Sequence, residues 1–139
     1  MTHYERDFRA WAFEQADRLR AGEPVDIENI AEELESLGRG EEQQLTNRLA
    51  VLIQHLLKIE YEPEKRTRSS DAAIVEQRRR VARLLKESPS LGPKLDQCIQ
   101  DAYPTAVTFA SVETGIVEED FPTRVPYTTE QILSAEIAQ

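Results

Sequence analysis

The stretch Asp26–Ile59, DIENIAEELESLGRGEEQQLTNRLAVLIQHLLKI, carries the strongest helical periodicity in the chain. Its apolar residues recur every three or four positions, which is typical of an amphipathic helix. Gly38 and Gly40 lie in the middle, and glycine costs about 1 kcal/mol relative to alanine inside a helix. We therefore expect the glycines to break or kink the helix, which gives a first helix with Asp26 as its N-cap and a second from about residue 41 to residue 60. The expected buried faces are Ile27, Ile30, Ala31, Leu34 and Leu37 in the first helix, and Leu45, Leu49, Leu52, Leu56 and Ile59 in the second.

The residues before this stretch predict another helix, in which Thr2 and Glu5 fit a capping box. Ala21–Pro24 should end it, because a glycine followed by a proline is a common helix stop. Phe13 points away from the apolar stripe and is expected to cover a neighbouring helix or an oligomer contact. The stripe of this helix is Tyr4, Phe8, Trp11, Ala12, Gln15 and Leu19.

The chain after the central stretch predicts two more long helices. One should run from about residue 70 to residue 87, with Ser69 or Ser70 as its cap. The next is expected to be kinked or divided by Pro104 and ended by Gly115.

The last part of the chain predicts an extended segment and a short helix. Two prolines lie within 116–127, and Thr128 with Gln131 fits a capping box for a helix over 128–135. No segment shows the period-2 alternation of a strand. The sequence therefore predicts an all-α fold, a compact single-domain helical bundle over residues 1–139. We expect about five to six main helices plus the short C-terminal helix, and no β-sheet.

Composition favours a cytoplasmic protein. The chain of 139 residues has one cysteine, Cys98, which cannot form an internal disulfide and so favours a reducing compartment. The N-terminus carries charges where a signal peptide would be apolar, and no apolar run approaches the roughly 20 residues of a membrane span. We expect no membrane association.

The charge of the chain is unevenly distributed. The net charge is −9, yet eight of the 17 basic residues lie between Lys65 and Lys86. Part of this basic segment forms one helix face, and we expect this face to be solvated or to dock an acidic protein partner, with contact to phosphates as the alternative. Nucleic acid is the weaker alternative, because no aromatic residue between Tyr61 and Tyr103 offers a base a stacking surface. The residues of the face are Arg79, Arg80, Arg83 and Lys86.

A polar cluster is predicted at Glu33, Arg48, His55 and Arg78. On two adjacent antiparallel helices, Glu33 could contact Arg48 or His55. Such a cluster can be a hydrogen-bond network that fixes helix register, or it can make His55 a general base oriented by Glu33. We favour the structural interpretation, since no nucleophile or oxyanion donor accompanies the pair.

Arg78 falls in the middle of an apolar stripe. A guanidinium facing a core must be paired, because burying an unpaired charge costs several kcal/mol. Glu28, Glu33 and Glu35 are the expected partners. The alternative is an anion site that Arg78 forms beside His55.

Motifs that hold a metal or a phosphate are missing from the sequence. There is no pair of cysteines at zinc spacing, no HExxH and no phosphate-binding glycine loop. Glu32 and Glu35 with His55 form only a loose set of ligands. We expect no metal and no cofactor.

Several segments together resemble the bacterial all-helical family catalogued as domain of unknown function 29. Gly40 departs from the family pattern, which favours a serine or similar cap there. The resemblance implies a compact α-helical protein, and the family offers no established activity or catalytic residues to transfer. The segments are DFRAW (7–11), DIENIAEELESLGRGE (26–41), HLLK (55–58), YEPEKRTRS (61–69), EQRRRVARLLKESPSL (76–91) and YTTEQIL (127–133).

These observations favour a non-enzymatic protein-interaction module that binds a protein partner or a second copy of itself. The alternative is a ligand- or metal-binding bundle, with or without enzymatic activity, that uses Glu33, His55 and Arg78. Contact with phosphate or nucleic acid through the fourth helix is the weakest of the three.

Overall fold

The computed structural model describes residues 3–134, and all regular structure in this range is helical. Short 3₁₀ turns occupy 63–65, 89–94 and 118–120. The prediction of an all-α fold without a β-sheet is confirmed for these residues. The helices are α1 (His3–Arg6), α2 (Phe8–Ala21), α3 (Ile27–Tyr61), α4 (Arg68–Glu87), α5 (Leu95–Thr114) and α6 (Thr129–Leu133).

Contacts divide the chain into two units, residues 1–40 and residues 41–139. The boundary lies within helix α3. The prediction of a single domain stays a prediction, and the two units are described separately.

In the first unit, Asp7 separates α1 from α2. Its carboxylate accepts a hydrogen bond from the backbone N–H of Ala10 at 3.1 Å, which makes Asp7 an N-cap. The opening is therefore two helices and not the one predicted, and Thr2 of the expected capping box lies outside the described residues. Trp11 and Gln15 are buried as predicted, whereas Leu19 is 57% exposed.

Helix α3 runs through Gly38 and Gly40 without interruption, so the predicted break is wrong. Neither glycine has a positive φ, and both lie in open space. Eight residues of the second half of α3 are buried, so that half is anchored in a core. Extending a formed helix costs little compared with starting one, and this offsets the penalty of two glycines.

The core of the second unit forms around the second half of α3. Leu45, Leu49, Leu52 and Leu56 are at most 1% exposed, as predicted. They belong to one apolar cluster with residues of α4, α5 and α6, including Val81, Ala102, Ala106 and Ile132.

The helix ends of the second unit match the predictions in part. Thr67, and not Ser69 or Ser70, caps α4 through the backbone N–H of Ser70. Pro104 does not divide α5, which continues to Thr114. The carbonyl of Gln100 loses its helical donor to this proline, and Gln100 is an exposed residue.

The end of α5 and the start of α6 agree with the sequence. Gly115 ends α5 in the left-handed conformation with φ of 77°. Thr128 and Gln131 form the expected capping box of α6, which is described to Leu133. The expected helical residue 135 lies outside the described range.

The segment between α5 and α6 is tied to the core of the second unit. The Tyr103 hydroxyl donates to the carbonyl of Pro122 at 2.7 Å, and the Phe121 ring lies 4.8 Å from that of Tyr61. The expected extended segment 116–127 also contains the 3₁₀ turn at 118–120. None of the described helices is long and apolar enough to cross a membrane.

Candidate functional site

The predicted polar cluster rested on a helix pairing that is absent. Glu33, Arg48 and His55 all belong to α3, so no pair of antiparallel helices brings Glu33 to the other two. Glu33 instead accepts a hydrogen bond from the Tyr4 hydroxyl within the first unit. The grouping of the four residues at one site stays a prediction.

Arg78 has different partners from the predicted acids. Its Nε donates to the carbonyl of Ile132 at 3.0 Å, and its Nη2 donates to the carbonyl of Gln131 at 2.8 Å. These carbonyls lie in the last turn of α6, where a positive charge is favourable. The half-buried guanidinium therefore holds the C-terminal helix against α4.

His55 is half-buried beside Lys58 and Glu113. Burial lowers the pKa of His55, the Lys58 charge adds to this effect, and Glu113 opposes it. The Lys58 ammonium itself donates to Glu113 at 2.7 Å. Among the described residues, Nδ1 of His55 has no hydrogen-bond partner, and no orienting carboxylate of the kind that a general base requires is bonded to it.

Arg48 lines a cavity of about 380 Å³ between α3 and α4. Arg80 donates to Glu76 at 2.9 Å, and this bond lowers the pKa of Glu76. Because three arginines face three carboxylates, the cavity favours neither an anion nor a cation. Its lining is Glu41, Gln44, Arg48, Glu76, Arg80, Arg83, Leu84 and Glu87.

The predicted basic face of α4 is present in part. Arg79, Arg83 and Lys86 line one open hollow of about 570 Å³. Ala82 and Glu87 complete its lining, whereas Arg80 lines the other cavity. The lining of the hollow therefore combines three basic residues with one alanine and one acidic residue.

No three His, Cys, Asp or Glu residues within 3–134 form a group that could hold a metal ion.

The first half of α3 carries an apolar stripe that is uncovered. Ile27, Leu34 and Leu37 are 70%, 63% and 69% exposed, although the sequence predicts them to be buried. Ile27 and Leu34 each lie 18 positions before a fully buried leucine, Leu45 and Leu52. Eighteen residues make about five full turns, so one stripe runs along the whole helix.

We call residues Ile27, Ala31, Leu34, Leu37 and Gly38 the uncovered stripe; all five are exposed. The sequence predicts the large apolar side chains of this stripe but predicts them to lie in a core. Two features of the sequence distinguish the exposed first half of α3 from its buried second half. They are the pair of glycines and the acids on both sides of the stripe.

The fold and this surface define an all-helical protein with a preformed apolar helix face. The chain belongs to the family described as Domain of unknown function DUF29, whose model matches residues 3–137. This match confirms the family resemblance seen in the sequence. No curated protein and no solved structure matches the chain significantly.

Proposed function

We propose that this protein is an interaction module without enzymatic activity, and that the uncovered stripe is its docking surface for another protein chain. The observation that supports the proposal is the change in exposure along α3. The same stripe is fully buried at Leu45 and Leu52 and more than half exposed at Ile27 and Leu34. Contiguous apolar surface of this kind typically marks an interaction site.

The spacing of the stripe fits recognition of a helix or a groove. Ile27, Ile30, Leu34 and Leu37 follow one another at intervals of three, four and three residues. Helices that dock in apolar grooves use anchors at this spacing. Ile30 is half-buried in the first unit, and the other three large side chains offer most of their surface to a partner.

Small residues in the stripe allow a partner backbone to come close. Ala31 and Gly38 lie beside the large side chains, and a Cβ built on Gly38 meets nothing within 4 Å. The fold of the chain itself does not require glycine there, since Gly38 has no positive φ. Close packing with another chain gives this glycine a role.

The first unit holds the stripe in place from the side. The Trp11 indole donates to the Asp26 carboxylate at 3.0 Å, and the Gln15 side chain accepts from the Asp26 backbone N–H at 2.7 Å. The Tyr4 hydroxyl donates to Glu33 one turn before Leu37. A surface that is ordered before binding loses less conformational entropy when the partner docks.

Photocrosslinking in the producing cells tests this proposal. A benzophenone amino acid replaces Leu34 in one variant and Ser36 in the control variant. Both positions are exposed, and they lie about 200° apart around α3. We expect a discrete crosslinked species from position 34 and none from position 36. Equal labelling at the two positions, or none at position 34, would refute the docking role.

The cytoplasmic location expected from the sequence stays a prediction, as does the bacterial origin.

A further inference from the structure

We infer that the chain docked on the uncovered stripe is a second copy of this protein, which presents the exposed face of its helix α4. This inference rests on the proposed function and names the partner. We call the relevant surface the α4 face. It consists of Ala72, Val75, Arg79, Ala82, Arg83 and Lys86, all exposed.

The shape of the α4 face suits the stripe. Val75 is 54% exposed, and Ala82 forms part of the floor of the open hollow of about 570 Å³. Arg79, Arg83 and Lys86 line the hollow beside Ala82, and Glu87 is the one acid in the lining. The stripe offers protruding side chains, Leu34 and Leu37, and the hollow offers space into which they can pack.

The charges of the two helices are opposite. Residues 27–40 of α3 hold four acids and one base, a net charge of −3. Residues 68–87 of α4 hold six bases and three acids, a net charge of +3. Opposite potentials steer two surfaces together and disfavour wrong partners.

The spacing of the acids beside the stripe also matches the spacing of the bases on the α4 face. Glu28 and Glu35 lie seven positions apart along one edge of the stripe, and Arg79 and Lys86 lie seven positions apart on the α4 face. Seven residues are about two helical turns in both cases. Two packed helices can therefore place both acids near both bases while the apolar side chains meet between them.

Two alternative contacts for the stripe fit less well. Phe109, Val112 and Val117 form a second exposed group, at 53%, 76% and 56%. Acids Glu113, Glu118, Glu119 and Asp120 surround this group in the sequence. The stripe packed against the stripe of another copy would likewise bring acids to acids. Like charges at an interface are unfavourable, so the α4 face is the better partner.

Mixing two variants of the full chain tests the inference. The stripe variant carries Leu34→Ser and Leu37→Ser, the α4 variant carries Ala82→Glu, and Ser36→Glu on the far side of α3 is the control. All the positions are exposed, and circular dichroism verifies that each variant folds. Molar mass is measured by light scattering over a range of protein concentrations.

We expect the wild type and Ser36→Glu to rise above the 15.9 kDa of one chain as concentration increases. Each docking variant should stay at the mass of one chain. An equimolar mixture of the two variants should recover a two-chain species, because the intact stripe of one meets the intact α4 face of the other. Failure of the mixture to recover association overturns the inference.

Salt distinguishes this contact from a contact between two stripes. Added salt screens charge, so association of an acidic surface with a basic one should weaken several-fold as salt rises. Association of two acidic stripes should instead strengthen, and that result overturns the inference.

The proposed function can survive when the inference fails. If the purified chain stays monomeric while position 34 crosslinks to a different protein, the stripe is a docking surface and a second copy is not its occupant. If the chain stays monomeric and position 34 gives no crosslink, both proposals are wrong.

Discussion

Leu34 and Leu52 lie 18 positions apart on helix α3, about five full turns, yet Leu34 is 63% exposed and Leu52 is fully buried. The two leucines belong to one apolar stripe and differ in what covers them. Leu52 packs in the core of the second unit. Leu34 has no such cover, and its exposure is the basis of the docking surface proposed for this protein.

Truncating these two leucines should change the free energy of unfolding by very different amounts. Leu52→Ala leaves a cavity in a packed core and should lower the free energy of unfolding by about 2–5 kcal/mol. Leu34→Ala should change it by no more than about 0.5 kcal/mol, because the side chain is exposed. Urea unfolding of dilute protein measures both. A loss of more than about 2 kcal/mol in Leu34→Ala would mean that the chain itself buries the stripe.

The two glycines of α3 form a matched pair. Gly38→Ala and Gly40→Ala should each stabilise the dilute chain by up to about 1 kcal/mol, because alanine favours the helix and both positions lie in open space. Only Gly38 lies in the uncovered stripe. Light scattering should therefore show weaker association for Gly38→Ala and unchanged association for Gly40→Ala. If the two variants associate equally, Gly38 is not part of the docking surface.

Arg78 should stabilise the C-terminal helix. Arg78→Ala removes a charged donor from the carbonyls of Ile132 and Gln131, and we expect a loss of roughly 1.5–3 kcal/mol. Arg79→Ala is the control, since Arg79 is exposed and its one ion pair within residues 3–134 is the i, i+3 contact with Glu76. Hydrogen exchange should quicken at residues 129–133 in the first variant alone. Equal melting temperatures for the two variants would contradict this assignment.

The pKa of His55 should make stability depend on pH. Because burial lowers the pKa of His55, the folded chain favours the neutral imidazole, and the unfolded chain binds a proton below about pH 6.5. This contribution is present above about pH 6.5 and is lost as the pH falls. His55→Gln should therefore flatten the decline of the unfolding free energy between about pH 8 and pH 5, measured by denaturant titration. An unchanged slope in His55→Gln would contradict the account.

Local signals in the sequence predicted much of the fold. The period of the leucines identified the buried face of α3 from Leu45 onward, and Thr128 with Gln131 predicted the cap of α6. The continuity of α3 was not predictable from glycine propensity, because burial of distant residues in the second unit anchors the helix.

The exposure of the stripe and the partners of Arg78 depend on tertiary contacts, which local sequence patterns do not reveal. Periodicity predicts that Ile27, Leu34 and Leu37 form an apolar stripe, but it does not predict whether a core buries that stripe or leaves it exposed. The partners of Arg78 are backbone carbonyls, which carry no signature in the sequence. Charge alone predicts acids as the partners of Arg78.

Hydrogen–deuterium exchange of the full chain at low and high protein concentration tests the central claim most directly. If the uncovered stripe docks on the α4 face of another copy, amides in 27–38 and 72–86 should gain protection as concentration rises. The Leu34→Ser and Leu37→Ser variant should show no such gain. Exchange in 27–38 that is independent of concentration, in a wild-type sample that associates, would contradict the claim that this stripe is the docking surface.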